Sequence, residues 1–141
     1  MIRHFTIPLN KMKTLILLVT ICVAFGSATM QAAPLSETDK QFLARYEKVR
    51  SALAADDLGA ARTAAGDLGE EGAPLAKSSS LKDARAAFGK LSEKAKQLAA
   101  GQAGYYVVHC PMLQKDWVQT SEKIANPYYG KEMATCGEIK K

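Results

Sequence analysis

Apolar residues at Phe42, Tyr46, Val49 and Leu53 are spaced by four, three and four, which is the repeat of one helix face. Ser36 ahead of them carries the side chain of an N-cap. Glu37 and Asp39 put negative charge where the helix end is positive. The pattern predicts a first helix from about Glu37 to about Ala55. Asp56-Asp57 then breaks it and offers a new cap. Leu58, Ala61, Ala65 and Leu68 carry a second stripe, predicting a helix over Leu58–Leu68. Gly59 and Gly66 each weaken that helix by about 1 kcal/mol relative to Ala, so packing must hold it. Residues 69–80 contain Gly72, Pro74 and three consecutive serines, the composition of a loop with one helical turn at its centre. Leu81, Ala84, Phe88, Leu91, Ala95 and Leu98 then alternate spacings of three and four, the seam of a bundle helix over Leu81–Ala100. Lys82, Lys90, Glu93, Lys94 and Lys96 fall off that seam and face water. Gly101 and Gly104 close the helix.

Three amphipathic helices cannot bury themselves without a fourth element. The candidates are Tyr105–Trp117 and Gln119–Ala125. The predicted fold is therefore all-α: a small bundle of three long helices plus a short C-terminal helical or irregular region, in one domain over residues 36–139. Tyr105-Tyr106-Val107-Val108 has strand propensity, but four strand residues without a partner are unstable, and they fit a continuation of the third helix equally well. Trp117–Ala125, with Val118 and Ile124 as its apolar positions, is expected to pack as a short helix.

The N-terminus has a different pattern. Arg3, His4, Lys11 and Lys13 precede an apolar run from Thr14 to Phe25, and Gly26-Ser27-Ala28 supplies small residues. This predicts a secretory signal peptide over residues 1–28, with cleavage as late as residue 33. The run is shorter than the ~20 residues of a membrane span. Ile21 ahead of Cys22 is too large for a lipoprotein site. The expected location is periplasmic or secreted, with no membrane attachment after cleavage. Removing residues 1–28 takes Arg3, Lys11 and Lys13 and no acid, so the formal net charge falls from +5 to +2. A balance of +2 spread over helices makes no basic patch, which disfavours nucleic acid.

The chemistry-bearing residues lie in one stretch, 105–137. His109, Cys110, Met112, Met133 and Cys136 fall within 28 residues, and no other His or Cys follows the leader. Thiolate and thioether are the ligands that soft metals prefer, Cu(I) above all, and imidazole is compatible. If Lys131–Cys136 is helical, Met133 and Cys136 share a face. Cys110 and Cys136 have a second use in an exported chain, a disulfide. Spacing by itself favours the disulfide, since neither a Cys-x-x-Cys pair nor a zinc-ribbon spacing is present. Met112 and Met133 also suit gap filling in a core, and Trp117 suits a core anchor better than a lid over a bound cation. Asn126-Pro127-Tyr128-Tyr129-Gly130 reads as a turn. The single His of the mature chain has no Ser/Asp or Cys/Asn arrangement near it, and His109 and Cys110 point apart on an extended chain. The reading is a protein that is not an enzyme.

His109-Cys110-Pro111-Met112, a Trp shortly after, and Asn126-Pro127-Tyr128-x-Gly130-x-x-Met133-x-x-Cys136-Gly137 together resemble the signature of a bacterial periplasmic helical domain of unknown function. That domain is similar to one appended to adaptor proteins of copper/silver efflux systems. The resemblance covers residues 36–139 and is specific in the last third. Leu113-Gln114-Lys115 departs from it, since the family often has a small residue after Cys-Pro-Met. The resemblance implies a heavy-metal context, with Cys110, Met112, Met133 and Cys136 at the matching positions and His109 beside them. Two functions are expected from this. One is periplasmic binding of Cu(I) or Ag(I) in metal handling or resistance, with a metal efflux adaptor as partner. The other is a non-catalytic helical interaction module, clipped by Cys110–Cys136, that docks on another envelope protein.

Overall fold

The computed structural model describes residues 32–140. The leader, with Cys22 and the cleavage sites, lies outside the described residues, apart from Ala32 and Ala33. Helix α1 spans Glu37–Ala54, and the Ser36 hydroxyl caps it by accepting from Asp39 N at 3.1 Å. Asp56 takes φ +60° and turns the chain. Asp57 then caps α2, Leu58–Gly66, by accepting from Ala60 N at 2.9 Å. One turn, α3, forms at Ala73–Ala76 with Pro74 in its first turn. Helix α4 spans Leu81–Ala99, capped by Ser80, and it ends before Gly101 and Gly104, both at positive φ. The stripes read from spacing are the buried ones: Phe42, Tyr46, Val49 and Leu53 on α1, and Ala84, Phe88, Leu91 and Ala95 on α4. No helix among the described residues is long and apolar enough to cross a membrane.

The fold is not all-α, and the correction begins at Tyr106. Strand β1, Tyr106–Cys110, pairs antiparallel with β2, Lys115–Gln119, and with β3, Glu138–Ile139, giving a three-stranded sheet in the order β2-β1-β3. The architecture is mixed α/β. Tyr105–Val108 lacked only a partner, and Pro111–Gln114 supplies it as a four-residue turn with Gln114 at φ +51°. The register sets Val108 opposite Trp117 and His109 opposite Asp116. Trp117 and Val118 are therefore strand residues, and the expected helix over Trp117–Ala125 does not form. The expected helix over Lys131–Cys136 is a single 3₁₀ turn at Gly130–Met133, with Cys136 beyond it.

The sheet takes the place of the missing fourth helix. Strand β2 packs on α4 and α1. Val108, Trp117 and Val118 join Leu43, Val49, Leu53 and Phe88 in one core. Aromatic rings run through it from α1 to β2. Tyr46 stacks on Phe88 with centroids 5.2 Å apart, and Phe88 meets the edge of Tyr128 at 5.4 Å. Tyr128 in turn meets Trp117 at 6.3 Å. An edge strand has backbone groups without a ladder partner, and here hydroxyls satisfy them. Ser92 Oγ and Tyr128 Oη donate to the Asp116 carbonyl at 2.9 and 3.1 Å, and Val118 N donates to Tyr46 Oη at 3.1 Å.

Candidate functional site

Strand alternation decides where the signature side chains go. Cys110 is fully buried, whereas the next residue back, His109, has 28% of its side chain exposed on the opposite face. Cys110 is bonded to Cys136, with Cα atoms 5.6 Å apart, inside the range that a disulfide requires. Met133 packs against the core from the 3₁₀ turn, and Cys136 N donates to its carbonyl at 3.0 Å. Met112, at the hairpin tip, is 76% exposed. Of the five sequence-predicted ligands, the two cysteines are brought together and Met133 lies three residues before Cys136 in the chain. His109 lies on the face of β1 opposite Cys110, and Met112 is exposed at the hairpin tip.

Much of the signature holds the 126–137 loop to the sheet. Asn126 is fully buried. Its side-chain oxygen accepts from Tyr128 N at 2.9 Å, its side-chain nitrogen donates to the Cys136 carbonyl at 3.2 Å, and its carbonyl accepts from Gly130 N at 3.0 Å. One side chain thus shapes the turn and tethers the second cysteine. Gly130 has φ +61°, and a Cβ there would overlap Asp56 Oδ1 and Arg85 Nη2. A Cβ at Gly137 would lie 2.6 Å from Val108 Cγ1 and 2.8 Å from Trp117 Cη2. Both glycines are required by close approach. Trp117 is buried, with its indole N–H donating to Gln119 Oε1 at 2.9 Å, so it anchors the core and does not cover an ion.

Two charge clusters were not visible in the sequence. Arg85 donates to the Pro127 carbonyl at 3.0 Å, to the Leu53 carbonyl at 3.1 Å and to Asp56 Oδ1, while Asp56 Oδ2 accepts from Lys131 N at 3.1 Å. These bonds rivet the end of α1 to α4 and to the 126–131 turn. The Lys131 N–H and the Arg85 guanidinium hold the Asp56 carboxyl below its usual value. The second cluster centres on Asp116, which accepts from His109 Nδ1 at 2.7 Å and from Lys96 and Lys140 at 3.0 Å each. Burial pushes this carboxyl up. The hydrogen bonds from Lys140, His109 and Lys96 outweigh burial and hold it well below the usual carboxylate range. An ionised carboxylate accepts only, so His109 Nδ1 carries a proton and a neutral ring presents its lone pair at Nε2. Asp116 escaped notice in the sequence because its partners come from α4 and from β3 onward, 20 and 24 residues away.

Among the described residues, no group of three or more His, Cys, Asp or Glu side chains is placed to hold a metal ion. Bonded cysteines supply no thiolate, so the donor set fits Cu(I) or Ag(I) only after the disulfide is reduced. Comparisons with protein families, with curated proteins and with solved structures returned no match for this chain.

Proposed function

We propose that the protein is a non-catalytic module of the bacterial cell envelope, clipped by Cys110–Cys136, that serves soft-metal handling by docking on another envelope protein. The observation that carries this reading is the bonded cysteine pair with Asn126 hydrogen-bonded behind it. Together they fix a loop whose neighbouring large apolar side chains, Met112 and Tyr129, stay exposed. A disulfide suits an exported chain, and the leader-like pattern of residues 1–28 agrees with export. The soft-metal context is supported by the resemblance in the last third of the chain. The test is mass spectrometry of protein isolated from the periplasm without reductant, with alkylation of free thiols. The expected result is an unalkylated, bridged chain. Full alkylation of both cysteines, or a stoichiometric metal, counts against the clip.

A second reading is supported by the Cα separation of 5.6 Å, which suits a dithiol site as well as a bridge. In the reduced protein Cys110 and Cys136 are then thiolate ligands for Cu(I) or Ag(I) and Met133 a thioether ligand, while Met112 at the exposed tip and His109 on the far face of β1 join only if the hairpin rearranges. Anaerobic titration with Cu(I) against a competing chelator, run on the reduced and the oxidised protein, separates the two readings. Tight binding by the reduced form alone supports the metal site. Equal binding by a Cys110→Ser/Met133→Leu variant excludes it.

A further inference from the structure

A cleft runs along α4 on the side of the 126–131 turn. Its larger part has a volume of about 850 Å³ and reaches from Leu81 to Gly89. A smaller part of about 350 Å³ continues past Gly89 to Glu93 and His109. The two share Gly89, Lys115 and Tyr128, so they form one elongated depression. Leu81 to Glu93 is about 18 Å of helix at 1.5 Å per residue, the reach of roughly five extended residues. Leu113 and Tyr129 supply apolar wall, and exposed Met112 is the chain neighbour of Leu113. Gly89 lines the cleft in mid-helix, and a Cβ there would meet nothing within 4 Å. The absence of a side chain at this position keeps the cleft open, at a cost of about 1 kcal/mol of helix propensity.

Charge selects the occupant. Most acids along the cleft already have partners: Asp56 is paired with Arg85, Glu93 with Lys96, and Asp116 with Lys96 and Lys140. Glu132 is the exception. Lys82, Lys90 and Lys115 make no ion pair among the described residues. The cleft therefore presents apolar walls under a rim where, among the described residues, three unpaired lysines face one unpaired acid, Glu132.

From this we infer that the α4 cleft is a docking groove for an acidic, apolar-anchored segment of a partner polypeptide. The inference rests on the reading of the protein as a docking module and names the surface and the chemistry of what docks. Apolar side chains of the segment seat between Leu113, Tyr128 and Tyr129, and its carboxylates meet Lys82, Lys90 and Lys115. The rim charges give the contact its salt dependence and its rejection of basic segments.

The experiment is selection of a displayed random peptide library on the oxidised protein, followed by titration of the enriched peptides. The expected consensus places Asp and Glu around a Leu or aromatic anchor, with affinity falling as salt rises. Lys82→Glu/Lys115→Glu is expected to weaken binding roughly tenfold, and Gly89→Leu to abolish it while the protein still melts at or above the wild-type temperature. A basic or uncharged consensus, no enrichment at all, or undiminished binding by Gly89→Leu overturns the inference. Sedimentation showing a dimer that Gly89→Leu dissociates makes the occupant a second copy and also overturns it. The library result is independent of the thiol mass, so a failed groove and a failed clip are told apart.

Discussion

His109 Nδ1 lies 2.7 Å from Asp116 Oδ1, across the β1–β2 register that sets the two residues opposite each other. The same carboxylate holds Lys96 and Lys140. Replacing Asp116 with Asn takes the carboxylate from Lys140, leaves Lys96 with Glu93 alone, and sets before the ring an amide that either accepts from or donates to Nδ1. Asp116→Asn is expected to lower stability by about 1–3 kcal/mol. In ¹⁵N NMR the neutral ring should change from the Nδ1–H form to a mixture. An unchanged tautomer signature shows that Asp116 does not orient His109.

The pH dependence follows from the same carboxyl. Its folded pKa is depressed, so its contribution is complete above the unfolded value of about 3.9 and is lost as pH falls through the lower folded value. Wild-type stability is expected to fall as pH drops below about 4, with a shallower fall for Asp116→Asn. Urea melts at several acidic pH values measure both slopes.

The bridge between Cys110 and Cys136 closes a segment with a sequence separation of 26. On the chain-entropy model this contributes about 3.5 kcal/mol. Cys110→Ser/Cys136→Ser is expected to lower the unfolding free energy by about that amount while the helical circular dichroism persists, because α1 and α4 pack without the bridge. Loss of the helical signal in this variant contradicts the prediction.

Glycines at different places should respond with opposite sign. Gly130→Ala puts a Cβ into the Asp56–Arg85 pair at positive φ and is expected to cost more than the roughly 1–2 kcal/mol of the backbone conformation alone. Gly89→Ala meets nothing within 4 Å and is expected to add up to about 1 kcal/mol. Thermal melts of the two single variants check both signs.

Tyr46 Oη accepts from Val118 N at 3.1 Å and lies 3.2 Å from Ser92 Oγ, in the core. Tyr46→Phe leaves the buried edge N–H of β2 without an acceptor. The expected cost is about 1–3 kcal/mol, and the Val118 amide should lose protection against hydrogen exchange.

The sequence alone determined the helices between Glu37 and Ala99, because their information is local. The four-three-four spacing from Phe42 to Leu53 and the caps at Ser36 and Asp57 each involve residues within one or two turns. The stretch that carries the signature was located for the same reason. Only the tertiary structure decided what that stretch becomes. Tyr106–Cys110 is a strand because Lys115–Gln119 and Glu138–Ile139 flank it, and strand pairing depends on partners that no local period reports. The hairpin turned Trp117 into the core and His109 out of it, since adjacent strand residues face opposite sides. The joining of Cys110 to Cys136 was one of two open uses of the pair. The folded chain brings the two cysteines to a Cα separation of 5.6 Å, with Asn126 hydrogen-bonded to the carbonyl of the second. The clusters around Asp116 and Arg85 gather side chains from α4, the sheet and the turn after α1, and backbone atoms from α1 and the 126–131 turn. Their members are ordinary surface charges in the sequence, and they become specific only where the folded chain brings them together.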